Sequence, residues 1–376
     1  MSVNEFIFSS ESVTEGHPDK VADQISDSVL DEILKEDPNA RVACETLITR
    51  NRVILSAEIK SNVKVDYEQI VKNTLLNIGY DDESKGFDAN SCIIDLYIEE
   101  QSADISMGVD QKDSNIIGAG DQGLMFGYAT NENKECMPYP ILIAHKLTKA
   151  LAEKRKNNSI PFLRPDGKSQ VSIKYKENKA EYIDTILISS QHSDEVSDKD
   201  LKESIIEEII KKEIPSHLIS PKTKFIINPT GRFVIGGPLG DTGLTGRKII
   251  VDTYGGWAKH GGGAFSGKDP TKVDRSACYM ARYMAKNIVA SGLLNNCEIQ
   301  LAYAIGKPEP VSFNINTTDK ISDDKIKNLL NNLLNIFDCT PKGIIDSLNL
   351  LRPIYQKTAS YGHFGRIDED FEWEKT

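Results

Sequence analysis

Cysteine is scarce in this chain and is not arranged in pairs. Its 376 residues include six cysteines and no C-x-x-C pattern, so neither a zinc site nor a disulfide framework is indicated. No apolar run approaches the length of a membrane span, and the first residues lack the apolar core of a signal peptide. These absences argue against a membrane protein and predict a cytoplasmic protein in a reducing compartment.

An excess of positive charge is also missing. Lysine and arginine number 45 against 56 aspartates and glutamates, which gives a formal net charge of −11. A chain this acidic has no general affinity for nucleic acid or for an anionic membrane, so we expect neither as a partner. Any phosphate-bearing ligand must therefore be bound by local groups of cationic residues. The length suggests two or three domains with ample core.

Glycine is not abundant overall, but it is concentrated in one region. Eleven of the 26 glycines fall between Gly231 and Gly263. The same region carries Arg232, Asp241 and Arg247, which a plain cluster of turns would not need. This density of glycine among charged residues indicates backbone shaped around a ligand.

The stretch Gly261–Ser276 joins a glycine-rich loop to a predicted helix. Glycines let backbone N–H groups approach an anion, and the N-terminus of a helix adds its positive dipole end. Lys268 and Lys272 supply full positive charges for phosphate. Asp269 and Asp274 would repel phosphate on their own, which suggests a divalent cation between the carboxylate and phosphate oxygens.

The nearest general pattern to this stretch is the phosphate-binding P-loop, G-x-x-x-x-G-K-[ST]. Gly262–Lys268 fits the pattern, but Asp269 stands where the P-loop needs a hydroxyl. The strand-like run Lys248–Asp252 does not directly precede the loop, as a P-loop strand must. A P-loop-like NTPase therefore remains only as an alternative. In either interpretation Asp269 suits the N-cap and Pro270 the first position of the helix.

A second polar helix start occurs near the beginning of the chain. His17, Asp19 and Lys20 precede a helix whose apolar residues recur at helical spacing. The cluster resembles the Gly261–Ser276 stretch in chemistry, because donor or cationic groups and a carboxylate meet at a positive helix end. An ordinary polar helix entry remains the alternative explanation.

Several other segments have ordinary explanations when they are taken alone. Gly118–Gly123 matches G-x-G-x-x-G but fails as a dinucleotide fingerprint, because no helix pattern follows it. Arg164–Lys168 reads as a turn before a strand. Gln101–Gln111 reads as a surface loop, with an active-site lid as the alternative. Glu45 and Glu58 interrupt strand-like runs and are expected on the solvent side of a sheet.

Strands followed by an amphipathic helix recur along the chain. Helices with one apolar face are predicted at Asp66–Ile78, Ser197–Ile210 and Ser322–Phe337, each after a strand-rich stretch and at similar intervals. The pattern predicts an α+β fold of three similar units, each a β-sheet with helices packed on one face.

Three blocks of the sequence resemble the S-adenosylmethionine synthetase family, also called methionine adenosyltransferase. Ser10–Asp27 (SESVTEGHPDKVADQISD) is similar to the N-terminal block of the family. Gly118–Thr130 (GAGDQGLMFGYAT) and Gly261–Ser276 (GGGAFSGKDPTKVDRS) are similar to its two signatures. The resemblance covers almost the whole chain.

The resemblance implies three α+β domains related by a pseudo-threefold internal repeat. The N-terminal domain is expected at 1–102, part of a mobile gating loop and a linker at 103–114, the central domain at 115–233 and the C-terminal domain at 234–376. Exchange of strands between the domains is left open. Gln101–Gln111 matches the gating loop of the family.

The implied reaction is ATP + L-methionine + water → S-adenosylmethionine + phosphate + diphosphate. The methionine sulfur attacks C5′ of the ribose and displaces the triphosphate chain, which is hydrolysed before release. The sulfur is already nucleophilic, so the protein needs to align the reactants and stabilise the leaving charge. This explains an inventory rich in cations and poor in activated nucleophiles.

The resemblance also assigns roles to individual residues. The implied catalytic residues are His17, Lys168, Arg247, Lys248 and Lys268. ATP contacts are implied for these five and for Asp166, Gly167, Arg232, Phe233, Asp241 and Ala264. Methionine contacts are implied for Glu58, Gln101, Asp241 and Lys272, Mg²⁺ ligands are Asp19 and Asp274, and a K⁺ ligand is Glu45. Gly167 replaces a larger residue of many relatives, which leaves the ribose-side fit open.

The resemblance finally implies a homodimer with shared active sites, assembled as a dimer of dimers. A catalytically silent homologue that only binds nucleotide is the alternative from a different class. Loss of a metal carboxylate or of a triphosphate lysine would mark such a homologue. Asp19, Asp274, Lys168 and Lys268 are all present, which favours the active enzyme.

Overall fold

The structure is a computed structural model that describes residues 5–100 and 117–376. The strands are β1 (Glu5–Val13), β2 (Arg41–Thr49), β3 (Arg52–Lys60), β4 (Asp81–Asp82), β5 (Phe87–Asp88), β6 (Ile93–Glu100), β7 (Gly123–Thr130), β8 (Leu163–Lys176), β9 (Lys179–His192), β10 (Lys224–Ile227), β11 (Gly243–Leu244), β12 (Asn296–Tyr303) and β13 (Ser312–Asn316). The helices are α1 (Pro18–Leu34), α2 (Tyr67–Ile78), α3 (Tyr139–Lys156), α4 (Asp198–Ile205), α5 (Lys211–Glu213), α6 (Ile249–Asp252), α7 (Val273–Ala290), α8 (Asp323–Ile336) and α9 (Pro341–Ser347). A π-helical turn, Ile206–Ile210, joins α4 to α5.

Three sheets, each with helices on one face, build the molecule. Strand order is β11-β2-β3-β6 in the first sheet, β1-β8-β9-β10 in the second and β13-β12-β7 in the third. Helices α1 and α2 pack with the first sheet, α3 and α4 with the second, and α7 and α8 with the third. This arrangement confirms the predicted α+β fold of three similar units.

Each of these sheets includes one strand from a distant part of the chain. The N-terminal strand β1 pairs antiparallel with β8, so that Ser9 faces Ser172. Strand β7 pairs with β12, and the short β11 pairs with β2. The three units are therefore joined by backbone hydrogen bonds as well as by packing of side chains.

The first sheet has one buried face and one open face. Along β3, Val53 and Leu55 point into the core, whereas Ser56 and Glu58 are exposed. Glu45 on β2 lies on the same open face as Glu58, because Glu45 pairs with Ser56 and Ala43 with Glu58. The predicted alternation along β3 is confirmed, and both glutamates lie on the sheet face opposite the helices.

The three predicted amphipathic helices are confirmed, and two of them begin at a side-chain cap. Asp66 caps α2 by accepting the N–H of Gln69 at 3.0 Å, and Gly79 ends the helix at φ 104°. Ser197 caps α4, and Ser322 precedes α8. Among the described residues, no helix is long and apolar enough to cross a membrane.

Local predictions failed at three places where tertiary contacts decide the conformation. Helix α7 begins at Val273, not after Asp269, because the Asp269 carboxylate is buried and accepts the N–H of Val42 at 2.8 Å. Lys248–Asp252 is a short helix and not a strand, which removes the remaining support for a P-loop. Arg164–Lys168 lies inside β8, next to a register irregularity, and is not a turn.

Candidate active site

The N-terminus of α1 organises a first group of site residues. His17 is the N-cap, Pro18 occupies the first turn, and His17 Nδ1 accepts the N–H of Asp19 at 3.2 Å. Burial lowers the pKa of His17 to about 3, with further lowering by the charges of Lys248 and Lys168. The imidazole is therefore neutral near pH 7, and its proton is on Nε2 because Nδ1 accepts a hydrogen bond.

Asp19 contacts several other residues of this group. Its carboxylate forms an ion pair with Lys248, accepts the N–H of Leu244 at 3.1 Å and lies 3.5 Å from Arg247 Nε. Burial opposes ionisation of Asp19, but the hydrogen bond and the charge of Lys248 outweigh it and lower the pKa. Asp19 is thus a carboxylate that holds two cationic residues at the positive end of α1.

Strand β8 brings a second acid and a lysine to the same place. Asp166 Oδ2 accepts the N–H of Gly237 at 2.9 Å, whereas Oδ1 is buried and has no hydrogen-bond partner among the described residues. Burial raises the pKa of Asp166 to about 6. Lys168 is exposed, and its charge contributes to the lowered pKa of His17.

Gly167 is packed closely against its neighbours in this strand. A Cβ atom there would lie 3.2 Å from the carbonyl oxygen of Ser189 and from the Thr14 methyl group. A larger residue is therefore tolerated only if the neighbouring β9 backbone or Thr14 shifts by a few tenths of an ångström.

Three further predicted residues lie at the rim of this group. Arg232 is exposed and forms an ion pair with Asp194. The N–H of Phe233 donates to His192 Nε2 at 3.0 Å, and its ring lies against Gly236, next to the glycine that binds Asp166. Asp241 is exposed, and its charge contributes to the raised pKa of Asp166.

We call the residues His17, Asp19, Asp166, Lys168, Arg247 and Lys248 the first cluster. A second cluster lies on the open face of the first sheet and consists of Glu45, Glu58, Lys268, Lys272 and Asp274. The two clusters contain all the predicted catalytic and metal-binding residues.

Lys268 connects the parts of the second cluster. Its Nζ lies 2.6 Å from Asp274 Oδ2, while its backbone pairs with Ala43 of β2. Burial and the charge of Glu58 raise the pKa of Glu45, against the opposing charges of Lys268 and Lys272.

Lys272 and Ala264 lie beside this cluster. Lys272 forms an ion pair with the buried Asp269. A Cβ on Gly246 would lie 2.5 Å from that of Ala264, and one on Gly263 would lie 2.4 Å from Asp274 Oδ1. The glycine-rich loop is thus wrapped closely around Asp274.

No hydrogen bond or ion pair between described residues joins the first cluster to the second. Each cluster contains lysines and one predicted magnesium carboxylate, Asp19 in the first and Asp274 in the second. Gln101 and the predicted gating loop Gln101–Gln111 lie outside the described residues.

The donor set of each cluster was compared with the needs of a metal ion. Within 5–100 and 117–376, no group of three or more His, Cys, Asp or Glu side chains could hold a metal by itself. Mg²⁺ commonly binds one or two carboxylates and completes its shell with water and substrate phosphate oxygens. Asp19 and Asp274, each beside lysines that suit phosphate, fit that second kind of site.

Reasoning from the sequence missed the buried acids that fix these clusters. Asp23 and Asp27 follow Asp19 on α1 at four-residue intervals, and both are fully buried. The available signal was this spacing, which places successive carboxylates close to one face of a helix. The loop N–H groups that bind them are more than 200 residues away in sequence, so no local pattern could identify these contacts.

Taken together, the cations, the carboxylates and the neutral histidine of the two clusters suit an enzyme with a polyphosphate substrate. Family models for the N-terminal, central and C-terminal domains of S-adenosylmethionine synthetase match residues 5–103, 116–233 and 235–375. The chain is 59% identical over 373 residues to an S-adenosylmethionine synthase of Helicobacter pylori strain Shi470, covering 99% of this chain and 96% of the relative. The corresponding proteins of strains P12 and J99 are 58% identical with the same coverage.

The chain belongs to the S-adenosylmethionine synthetase family. It is a transferase, and its reaction is that of the family, the synthesis of S-adenosylmethionine from ATP and methionine. Enzymes of this family use a divalent metal ion and a monovalent cation. The P-loop alternative and the silent homologue are not favoured.

Proposed function

We propose that the first and second clusters carry out attack of the methionine sulfur on C5′ of ATP. The C–S bond forms as the C5′–O bond breaks, and the bonding electrons leave with tripolyphosphate. Water then cleaves tripolyphosphate to phosphate and diphosphate. The observation that carries the proposal is the concentration of Lys168, Arg247 and Lys248 around a neutral histidine at the N-terminus of α1.

A thioether attacks carbon without losing a proton, so the site needs no general base. It needs alignment of sulfur, carbon and leaving oxygen, and stabilisation of the charge on that oxygen. His17 suits the second task because its Nε2–H is free to donate to the leaving oxygen while Nδ1 is held by the Asp19 N–H. Because its pKa is lowered to about 3, His17 stays neutral at pH 7 and does not transfer a proton to ATP.

The triphosphate is bound by cations from both clusters. Lys168, Arg247 and Lys248 supply charge from the first cluster, and Lys268 supplies it from the second. The positive end of the α1 dipole points to the same place. Because this charge is fixed before the reaction, it favours the separated tripolyphosphate over the bound ATP ground state.

Asp19 and Asp274 would hold Mg²⁺ against the phosphate oxygens, and Glu45 would bind K⁺ on the open face of the first sheet. Bound Mg²⁺ supplies neutralisation of the developing phosphate charge. Lys248 pairs with the Asp19 carboxylate and Lys268 with that of Asp274.

The remaining predicted residues select the substrates. Asp166, whose Oδ1 has no hydrogen-bond partner among the described residues, suits a ribose hydroxyl, and Gly167 follows it in β8. Arg232, Phe233 and Ala264 are assigned to the rest of ATP. We assign Glu58, Asp241 and Lys272 to methionine, because acids suit its ammonium group and a lysine suits its carboxylate. Gln101, outside the described residues, is assigned to methionine as well.

The proposal includes a homodimer in which each site combines the first cluster of one chain with the second cluster of the other. The absence of any ion pair or hydrogen bond between the clusters, among the described residues, supports this arrangement. Pairing of dimers into a homotetramer and a cytoplasmic location belong to the same proposal.

The test is a product assay with ATP, methionine and Mg²⁺. We expect S-adenosylmethionine, phosphate and diphosphate in equal amounts, with no product formed from ATP when methionine is omitted. Lys168→Met should lower the rate at least about a hundredfold, because it removes a fixed charge from the leaving group. Lys224→Met, at an exposed lysine outside both clusters, is the matched control. Release of ADP, or equal rates for both variants, would overturn the proposal.

A further inference from the structure

Helix α1 carries a row of buried carboxylates at four-residue spacing. Asp19, Asp23, Asp27 and Asp31 have exposed fractions of 1%, 0%, 0% and 9%. Asp19 belongs to the first cluster, but the reaction as derived above gives no role to the other three. Burying a carboxylate is costly unless hydrogen bonds and a counter-charge compensate it, so the partners of these acids indicate what they do.

Asp23 binds the backbone of the loop that carries Arg247 and Lys248. Its Oδ1 accepts the N–H of Gly246 at 2.8 Å, and its Oδ2 accepts from Lys20 Nζ at 2.8 Å. The hydrogen bond to the loop therefore ends one residue before the two cations of the first cluster.

Asp27 makes the corresponding contact with the loop that carries Lys268. Its Oδ1 accepts the N–H of Gly267 at 2.8 Å, again one residue before a cation. Arg275 binds both oxygens of Asp27 at 2.7 and 2.9 Å and also donates to the carbonyl oxygen of Lys268 at 3.2 Å. Lys268 is thus held through its backbone on both sides.

The two loops share a conformation as well as a partner helix. Gly246 has φ 79° and Gly267 has φ 81°, values at which a side chain is strained. A Cβ would lie 2.5 Å from the Ala264 Cβ in the first case and 1.9 Å from the Cys44 carbonyl oxygen in the second. Each loop therefore presents a hydroxyl residue, a left-handed glycine and a cation in succession, with the glycine N–H docked into a buried carboxylate.

We propose that Asp23 and Asp27 are positioning residues, which fix the cations of the first and second clusters along one helix. Asp23 sets the place of Arg247 and Lys248, and Asp27 sets that of Lys268. One rigid helix then fixes both loops. Arg247 and Lys248 stand beside His17 and Asp19 of the same chain, and Lys268 is held in place for the site that this chain shares with its partner. The inference rests on the proposed function, in which those cations face the triphosphate.

The experiment is a pair of crossed mutant cycles, with kcat/KM for S-adenosylmethionine formation as the readout. Asp23 accepts from two donors and Asp27 from three, and Asp→Asn replaces one accepting oxygen by a donor in each case, so each variant should lower kcat/KM about tenfold or more. If Asp23 acts through Lys248, Asp23→Asn should lower kcat/KM about threefold or less in a Lys248→Ala background. In a Lys268→Ala background the same substitution should lower kcat/KM by about tenfold or more, as it does in the wild type. Asp27→Asn should show the opposite pattern.

Asp31→Asn is the matched control from the same row. Asp31 is also buried and accepts two backbone N–H groups, from Tyr355 and Gln356, but neither group belongs to a loop with a site cation. Its effect should be the same factor in every background. General destabilisation by a lost carboxylate would make all three aspartates behave like Asp31, which would overturn the inference.

Two further variants keep the test decisive if an aspartate variant does not fold, as judged from circular dichroism and Tm. Thr245→Val removes the hydroxyl that binds Ser26 at 2.8 Å and so loosens the first loop, and Arg275→Lys breaks the bidentate contact that holds the second. The loss of kcat/KM in Thr245→Val should depend on Lys248, as expected for Asp23→Asn. The loss in Arg275→Lys should depend on Lys268, as expected for Asp27→Asn. Full activity of Lys248→Ala and Lys268→Ala would instead refute the proposed function. Low activity of these two variants, with aspartate effects on kcat/KM that are the same in every background, would refute only the positioning role.

Discussion

Carboxylates of the same chemical type titrate differently along one helix, because their partners differ. Asp19 has Lys248 against it, and its pKa is lowered despite burial. Asp31 has only two backbone N–H groups within hydrogen-bond distance, and burial raises its pKa to about 7. At Asp31 burial outweighs the two backbone donors, which satisfy the carboxylate but do not neutralise it.

The raised pKa of Asp31 predicts a pH-dependent stability difference between the protein and Asp31→Asn. The folded state binds the Asp31 proton more tightly than the unfolded chain, whose pKa is about 4. The stability gained from this proton is therefore present below about pH 4 and is lost as the pH rises to about 7. The free energy of unfolding of the wild type should fall relative to the variant by up to roughly 4 kcal/mol across that range.

Urea unfolding of both proteins at several pH values measures this difference directly. The comparison cancels the titration of every other group that the substitution leaves unchanged. A difference that stays constant between pH 4 and pH 7, or that changes in the opposite direction, would contradict the prediction.

Loss of either metal carboxylate should reduce turnover strongly. Asp19→Asn and Asp274→Asn should each raise the activation free energy by about 3 kcal/mol, roughly a hundredfold in kcat, because a charge that orders the triphosphate is removed. Steady-state assays at increasing Mg²⁺ measure the effect, and Glu195→Gln, at an exposed acid away from both clusters, is the control. Near-normal turnover of either variant at saturating Mg²⁺ would refute its assignment as a metal ligand.

At the scale of elements, two surface helices of similar length differ in how they begin. The Asp66 side chain accepts the N–H of Gln69 at the start of α2, whereas Ser322 makes no such bond at the start of α8. An N-cap contributes mainly through this hydrogen bond, since the first N–H groups of a helix otherwise lack partners.

Asp66→Ala should therefore lower the free energy of unfolding by about 1 kcal/mol. Ser322→Ala should change it by less than about 0.5 kcal/mol, because no side-chain cap is lost. Denaturant unfolding under identical conditions compares the two. Equal losses would show that the capping bond is not what distinguishes these positions.

The sequence predicted the features that depend on residues a few positions apart. It did not predict the features that depend on contacts between residues far apart in the chain. The apolar faces of α2 and α8 could be predicted, because each depends on neighbours within four positions. Asp269 looks like a helix cap, but its carboxylate is bound to Val42, which lies 227 residues earlier in the chain. The site residues were recognised from family blocks, while Asp23 and Asp27 were not, since their acceptor role appears only after the distant loops are in place.

For the whole molecule, the separation of the two clusters bears on how many chains make one site. A dimer with twofold symmetry presents the same patch twice, so it contains two equivalent shared sites. The open face of the first sheet, which carries Glu45 and Glu58, and the loops around α1 offer the broad surface that such pairing requires.

Complementation between inactive chains tests this arrangement. His17→Asn and Lys268→Ala should each be nearly inactive, but a mixed dimer should have one site with both lesions and one with neither. Random mixing gives about half mixed dimers, so roughly a quarter of wild-type activity should return. Co-expression with two affinity tags measures it, and no recovery in purified mixed dimers would place both residues in one chain's site.

The pairing of β1 with β8 has a consequence for synthesis of the chain on the ribosome. Strand β1 leaves the exit tunnel first, yet the residues that hydrogen-bond with it begin at Lys168 and end at Lys176. At roughly 5–20 residues per second, β1 must wait on the order of ten to thirty seconds for its partner. During that time Phe6, Ile7 and Phe8 stand in an unpaired apolar strand, so nascent chains of this protein should depend on chaperones most before the central unit has emerged.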